Sequence, residues 1–238
     1  MKILSGHQPV YLPSIHLFNK IALSDEFMFV GHCDFGPGTW HQRNRVVLPT
    51  GQVVTLTVPV GDGKAIDDVE ILENPWRRKH CGTIKQAYAK RPYFKLYYPA
   101  IEAIIMGPFK RLGFLNRALV AQICEWFEIS TPLLDSYKYT VPGPARPLPR
   151  ITGKKTQMLI DMCRCAGATG YLSNEGARDY VDEPLMERHK LDHFWQKFEH
   201  PVYDQGLKEF VPNMSAIDIL FNLGPAAGAV VKSCGDFE

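Results

Sequence analysis

The chain has 238 residues, of which 45% are hydrophobic and 22% are charged, and its formal net charge is +2. This composition is typical of a soluble globular protein, and the small net charge provides no broad basic surface for nucleic acid. No apolar run reaches the roughly 18 residues that cross a membrane, and the N-terminal apolar stretch is too short for a signal peptide. We therefore expect a cytoplasmic protein without a nucleic-acid or membrane partner.

The first forty-five residues predict a strand, a helix and a second strand. Residues 2–6 form a short apolar run, and Pro9 and Pro13 exclude a helix until Ser14, which is a good N-cap. An apolar helix face follows, and 27–30 is the next apolar run. Such a unit is expected to have parallel strands.

The rest of the chain predicts a hairpin, a helical insertion and a second strand–helix–strand region. Val-rich runs flank the turn sequence at 49–51, and helical periodicity extends over 76–128. The later elements are a strand at 133–141, a linker at 142–149, a helix at 152–166, strands at 169–173 and 194–198, and a final helix at 215–224. We predict a single α/β domain over 1–238, with an open, mainly parallel Rossmann-like sheet.

A polar pair stands where the first predicted strand ends. At the carboxyl end of a parallel strand, His7 and Gln8 would point toward a ligand crevice. His7 could act there as a general base, although a histidine that only caps the loop fits the same pattern. Tyr171 and Ser173 end a later strand and could place hydroxyl groups in the same crevice. We take these four as the catalytic candidates.

Fixed positive charge follows a glycine-rich loop. Alternation along a strand places Arg43 and Arg45 on one face, where they could bind a phosphate or carboxylate beside the indole of Trp40. Asn44 lies between them, and Asp34 precedes the loop. A polar turn with surface charges is the alternative interpretation.

Other groups give weaker signals. His16 lies in a segment that faintly resembles the HxGH loop of nucleotidyltransferases, but the first His and the Gly of that loop are absent. Lys85 and Tyr88 share a helix face, and Arg150 precedes a predicted helix N-terminus, so each could contact an anionic substrate. No intact phosphate-binding loop, zinc spacing or CxxC pair occurs. We expect reduced cysteines, no metal and no cofactor.

The same residues resemble the WbqC-like protein family over nearly the whole chain. The resemblance adds Tyr11 and Lys20 to the substrate-binding candidates. The matching segments are His7-Gln8-Pro-x-Tyr11-x-Pro13, Phe18-x-Lys20-Ile21, Trp40-x-x-Arg43-Asn44-Arg45, Thr57-Val-Pro-Val60, Arg150-x-Thr152, Tyr171-Leu-Ser173, Tyr180, Pro201-x-Tyr203-x-Gln205 and Ser215-x-x-Asp218-x-Leu220-Phe221-Asn222. The family usually has Trp and Gly after Pro13, where this chain has Ser14 and His16. It also usually has an acidic pair after the second strand, where this chain reads Gly31-His32-Cys33-Asp34.

The resemblance implies an enzyme of sugar or small-molecule modification. Members of the family are associated with bacterial surface polysaccharides, often where an amino sugar is acylated with an amino acid. We therefore expect acyl or aminoacyl transfer to an amine on a small phosphorylated or nucleotide-linked acceptor, which forms an amide. Nucleotidyl transfer or ATP-dependent ligation of the HxGH type, and a non-catalytic anion-binding module, are the alternatives.

Overall fold

The computed structural model describes residues 1–140 and 149–238. Its strands are β1 (Ile3–His7), β2 (Glu26–Phe29), β3 (Arg43–Val47), β4 (Val53–Thr57), β5 (Leu133–Asp135), β6 (Gly170–Ser173), β7 (Asp192–Phe198) and β8 (Gly235–Phe237). Its α-helices are α1 (Ile15–Ala22), α2 (Trp76–Tyr88), α3 (Phe94–Met106), α4 (Leu112–Trp126), α5 (Tyr137–Thr140), α6 (Thr156–Ala166), α7 (Glu183–Arg188), α8 (Ile217–Leu223) and α9 (Ala227–Ser233).

The central sheet has six strands in the order β5-β2-β1-β6-β7-β8. Every neighbouring pair is parallel except the last, because β8 pairs antiparallel with β7. Strands β3 and β4 form a separate antiparallel hairpin. The predicted α/β class, mainly parallel sheet and hairpin are thus confirmed. The finer Rossmann-like description and the single domain stay predictions.

Side chains that alternate along β2 show how the sheet is covered. Phe27 and Phe29 join a large apolar cluster with α1, α2, α3, α4, α8 and α9. Met28 and Val30 point the other way and join a smaller cluster with α6 and α7. Because successive strand residues face opposite sides, the sheet lies between two helical layers. The predicted helical region at 76–128 contains α2, α3 and α4, which pack in the larger cluster beside α1 and the hairpin.

The strand predicted at 133–141 is wrong in its length. It ends at Asp135, whose carboxylate accepts a hydrogen bond from the Tyr137 amide at 2.9 Å and so starts the turn into α5. The pattern of apolar residues did not indicate that the strand ends at Asp135. The end of that predicted strand and nearly all of the linker predicted at 142–149 lie at residues 141–148, outside the described residues.

The C-terminal region follows the predicted order with shifted boundaries. Helix α6 starts at Thr156 rather than 152, because the amides of Thr152 and Gly153 donate to the Asp161 carboxylate instead of entering the helix. It ends at Gly167, which has the left-handed conformation (φ +63°) that favours glycine. Helices α7 and α9 and strand β8 were not predicted.

The chain order of the sheet defines where a ligand crevice opens. From β1 the chain crosses through α1 on one face to β2, and it later returns through α6 on the other face to β6. The strand order therefore reverses between β1 and β6. In open parallel sheets, ligands bind outside the carboxyl ends of the strands at such a point. His7 ends β1 and Ser173 ends β6 at this edge.

Candidate functional site

Two cavities open beside the carboxyl end of β1, and His7 lines both of them. The switch-point cavity has a volume of about 290 Å³, and its lining includes His7, Gln8, Lys20, Cys33, Tyr171 and Ser173. The hairpin cavity has a volume of about 270 Å³, and its lining includes His7, His16, Trp40, Asn44, Arg45 and Asn213. Cavities of this size take small molecules or parts of them. His7 and Arg45 of the hairpin therefore line one cavity together.

Among the described residues, the half-buried His7 ring has a hydrogen-bond partner at Nδ1 and none at Nε2. Nδ1 lies 2.7 Å from the Gln8 carbonyl oxygen, which can only accept, so Nδ1 carries the proton and donates it. Nε2 then holds a lone pair. Burial, with the positive charge of Lys20 nearby, lowers the pKa of His7 to about 4. The imidazole is neutral at pH 7 and can accept a proton at Nε2.

The loop after β1 is held by polar contacts from two directions. His41 Nε2 donates to Gln8 Oε1 at 2.7 Å. The fully buried Asn116 of α4 donates from Nδ2 to the carbonyl oxygens of Pro9, at 3.2 Å, and His41, at 2.8 Å. These bonds fix the Gln8 side chain and connect the loop to the segment that precedes the hairpin.

The hairpin presents two guanidinium groups to one indole. The Cζ atoms of Arg43 and Arg45 lie 5.6 Å and 5.3 Å from the Trp40 ring centroid, within the range of a cation–π contact. Arg45 also donates to the Asn213 carbonyl oxygen at 3.2 Å. Trp40 is 48% exposed, so part of its surface remains open to a ligand. The predicted placement of the two arginines on one face of the strand holds.

Asn44 and Tyr11 have structural contacts that the sequence did not indicate. Asn44 lines the hairpin cavity, but its Nδ2 donates to the Tyr11 carbonyl oxygen at 3.2 Å and its Oδ1 accepts from the Arg45 amide at 2.8 Å. Tyr11 is fully buried, and its hydroxyl lies 2.9 Å from His80 Nδ1. Tyr11 is therefore a core residue that lines neither cavity.

Lys20 points from α1 into the wall of the switch-point cavity. Its side chain is only 2% exposed, and Nζ donates to the Gly6 carbonyl oxygen at 3.0 Å. Burial lowers the pKa of Lys20 to about 7. Lys20 is therefore not a solvated surface lysine.

The two predicted hydroxyl groups both reach the switch-point cavity. Tyr171 is buried, and burial raises the pKa of its phenol well above the usual range, so it remains a donor at neutral pH. Ser173 Oγ shares a hydrogen bond of 2.9 Å with His193 Nε2 on β7. The sequence did not indicate His193, Cys33 or Asn213 as neighbours of the site, because no motif or spacing connects them to His7.

Besides the buried Tyr11, and Arg43 that contacts Trp40, four predicted substrate-binding residues line neither cavity. Lys85 on α2, Arg150 before α6 and Asp34 after β2 are exposed. Tyr88 is fully buried, and its hydroxyl donates to Asp218 Oδ2 at 2.9 Å. The structure does not bring these four to the site, because a shared helix face or a position near a helix end does not determine which side of the fold a residue reaches.

The charges at the two cavities favour anions. The described lining residues include Lys20 in one cavity and Arg45 in the other, and they include no Asp or Glu. Within residues 1–140 and 149–238, no group of three or more His, Cys, Asp or Glu is placed to hold a metal ion. No helix in the same ranges is long and apolar enough to span a membrane.

Comparison with known proteins supplies a family. The chain is 28% identical, over 98% of its own length and 99% of the relative's, to the uncharacterized protein Rv1507c of Mycobacterium tuberculosis. No solved structure matches it. The sequence pattern of the WbqC-like protein family matches residues 8–230, which include the loop after β1, the hairpin and the strand ends described above. This chain belongs to the WbqC-like protein family.

Proposed function

We propose that the protein transfers an acyl or aminoacyl group to an amine on a small phosphorylated or nucleotide-linked acceptor and so forms an amide. The observation that supports this most strongly is the position of His7. A neutral imidazole with an open Nε2 lies on the wall common to two cavities, and each cavity has a cation in its described lining. Two substrates could thus approach one base from two sides.

The hairpin cavity suits the phosphorylated acceptor. Arg45, with Arg43 beside it, offers the planar donors that bind phosphate oxygens in pairs. The exposed face of Trp40 offers a stacking surface for a base or sugar ring. The acceptor amine would then lie toward His7.

In the proposed step the amine nitrogen attacks the acyl carbon of an activated donor. The C–N bond forms as the amine adds to the acyl carbon, and the bond to the leaving group then breaks. His7 Nε2 takes the proton from nitrogen and passes it to the leaving group. Gln8, Tyr171 and Ser173 orient the reacting groups. A positioned base of this kind typically contributes about 10²–10⁴-fold to the rate.

The test combines activated donors with amine acceptors. Thioesters and adenylates of small acids and amino acids would be incubated with amino-sugar nucleotides, and amide products would be sought by mass spectrometry. The proposal expects an amide with the wild-type protein and a loss with His7→Ala. Absence of amide from every pair, with release of the free acid alone, would argue against transfer.

Nucleotidyl transfer or ATP-dependent ligation is the second candidate, because His7 and His16 line the same cavity with Arg45. Burial lowers the pKa of His16 to about 4 as well, so both rings are neutral donors or acceptors. Incubation with ATP or CTP, Mg²⁺ and candidate acids separates the two reactions, since only this one releases pyrophosphate. A purely anion-binding module is less consistent with the shifted pKa values of His7 and Lys20 in the cavity wall.

A further inference from the structure

Lys20 is a buried cation whose position core packing does not explain. It is 2% exposed, and within the described residues its Nζ has one hydrogen-bond partner, the Gly6 carbonyl oxygen, and no carboxylate within ion-pair distance. Helix α1 already packs through Phe18 and Ile21. An ammonium group buried without a counter-ion costs folding free energy, so a methionine or leucine would serve the core better.

The groups that face Lys20 leave it as the one formal charge in the described cavity wall. His7 comes from β1, His16 from its own helix and His193 from β7, and burial lowers the pKa of each. Burial raises the pKa values of the other titratable lining groups, Cys33, Tyr171 and Tyr180. All six are therefore uncharged at pH 7, and none can balance the ammonium.

Nζ also has unused donors. An ammonium carries three protons, and one of them is directed to Gly6 O. Two protons remain for a ligand in a cavity that His7 also lines.

We propose that Lys20 binds the carbonyl oxygen of the activated acyl donor in the switch-point cavity, and that free small carboxylates bind there as analogues of the donor. During transfer this oxygen becomes negative as the amine adds to the acyl carbon, and the ammonium stabilises it. A single point charge suits one carboxyl oxygen, whereas the paired guanidinium groups of the hairpin suit phosphate. The catalytic role rests on the proposed function, but carboxylate binding can be tested without it.

The experiment measures binding of acetate and propionate to the full-length protein by calorimetry, in wild type and in Lys20→Met. The variant should bind roughly 10- to 100-fold more weakly, the range that loss of one charge-assisted hydrogen bond gives. Lys85→Met, at an exposed lysine that lines neither cavity, and Arg45→Gln, in the hairpin cavity, should bind like the wild type. Unchanged affinity in Lys20→Met, or a loss confined to Arg45→Gln, would overturn the assignment.

Proton uptake gives a second readout on the wild-type protein alone. Because the pKa of Lys20 is about 7, part of the population is neutral at pH 7.5, and an anion should draw in a proton as it binds. Heats measured at pH 7.5 in two buffers of different ionisation enthalpy should therefore differ for acetate. Identical heats would contradict the proposal even if Lys20→Met did not fold. If carboxylates bind but the protein forms no amide, the proposed binding site at Lys20 is supported and the proposed transfer reaction is contradicted.

Discussion

The pKa of His7 determines the pH range in which the proposed base is available. Burial lowers it to about 4, so the ring stays neutral well below the usual titration of histidine near 6.5. The acid limb of kcat/KM, which reports the free enzyme, should therefore fall near pH 4 to 5. A rate profile on a substrate pair that forms amide would measure it, and a limb centred near 6.5 would show that another histidine acts.

Tyr11 provides a test that separates structural residues from site residues. Its hydroxyl is the partner of His80 Nδ1 in the core, and Tyr11→Phe leaves that nitrogen unpaired. We expect the free energy of unfolding to fall by about 1–3 kcal/mol, with acetate affinity unchanged. Denaturant titration measures the first and calorimetry the second. Tyr137→Phe, at a side chain that is 57% exposed, is the matched control. A loss of acetate affinity in Tyr11→Phe but not in Tyr137→Phe would show that Tyr11 contributes to binding.

At the residue scale, sequence reasoning succeeded where local geometry was sufficient. The end of a strand placed His7 at the crevice, and alternation placed Arg43 and Arg45 on one face. It could not show that Lys20 is buried, because the side of α1 that meets β1 depends on how the helix docks. The docking of α2 could not be predicted either, and it turns Tyr88 toward the core instead of toward a cavity.

At the scale of elements, Asn116 connects α4 to both segments that carry the site. Asn116→Ala removes the donor shared by the Pro9 and His41 carbonyl oxygens. We expect the free energy of unfolding to fall by about 1–3 kcal/mol, and acetate to bind more weakly as the loop after β1 gains freedom. Glu125→Ala, at an exposed position of the same helix, should change neither quantity. An unaltered affinity in a destabilised Asn116→Ala would show that the loop keeps its position without this bond.

Tyr88 joins three elements without touching the cavities. Its hydroxyl accepts from the Val47 amide of β3 at 3.3 Å and donates to Asp218 of α8. Tyr88→Phe should lower the free energy of unfolding by about 1–3 kcal/mol, because two buried polar groups lose a partner. Phosphate and acetate affinities should remain those of the wild type. Weaker binding at unchanged stability would contradict the structural role.

The order of elements could be predicted, but their lateral arrangement could not. Apolar runs and proline positions indicated β1, α1 and β2 in sequence. Nothing local indicated that β5 would pair with β2 and β6 with β1, because these partners are far apart in the chain. The crevice between β1 and β6 depends on that arrangement. The residues at the strand ends could therefore be predicted from the sequence, whereas the shape of the crevice could not.

At the scale of the whole molecule, one buried and two half-buried histidines make folding sensitive to acid. Burial lowers the pKa values of His7, His16 and His80 to about 4, whereas the unfolded chain titrates near 6.5. Between these values the unfolded state binds more protons, so stability falls as the pH falls from 6.5 to 4. Each residue contributes at most roughly 1.4 kcal/mol per pKa unit. Urea midpoints across this range would measure the loss, and a flat stability from pH 7 to 4 would contradict the burial of these rings.

The central claim is that His7 is the base on the wall shared by the two cavities. The most direct measurement compares wild type with His7→Ala in amide-forming turnover, together with calorimetric binding of acetate and inorganic phosphate. We predict that kcat falls about 10²–10⁴-fold while both anions still bind, because Lys20 and Arg45 remain in place. Full turnover by His7→Ala, or loss of both anions with unchanged kcat, would contradict the claim.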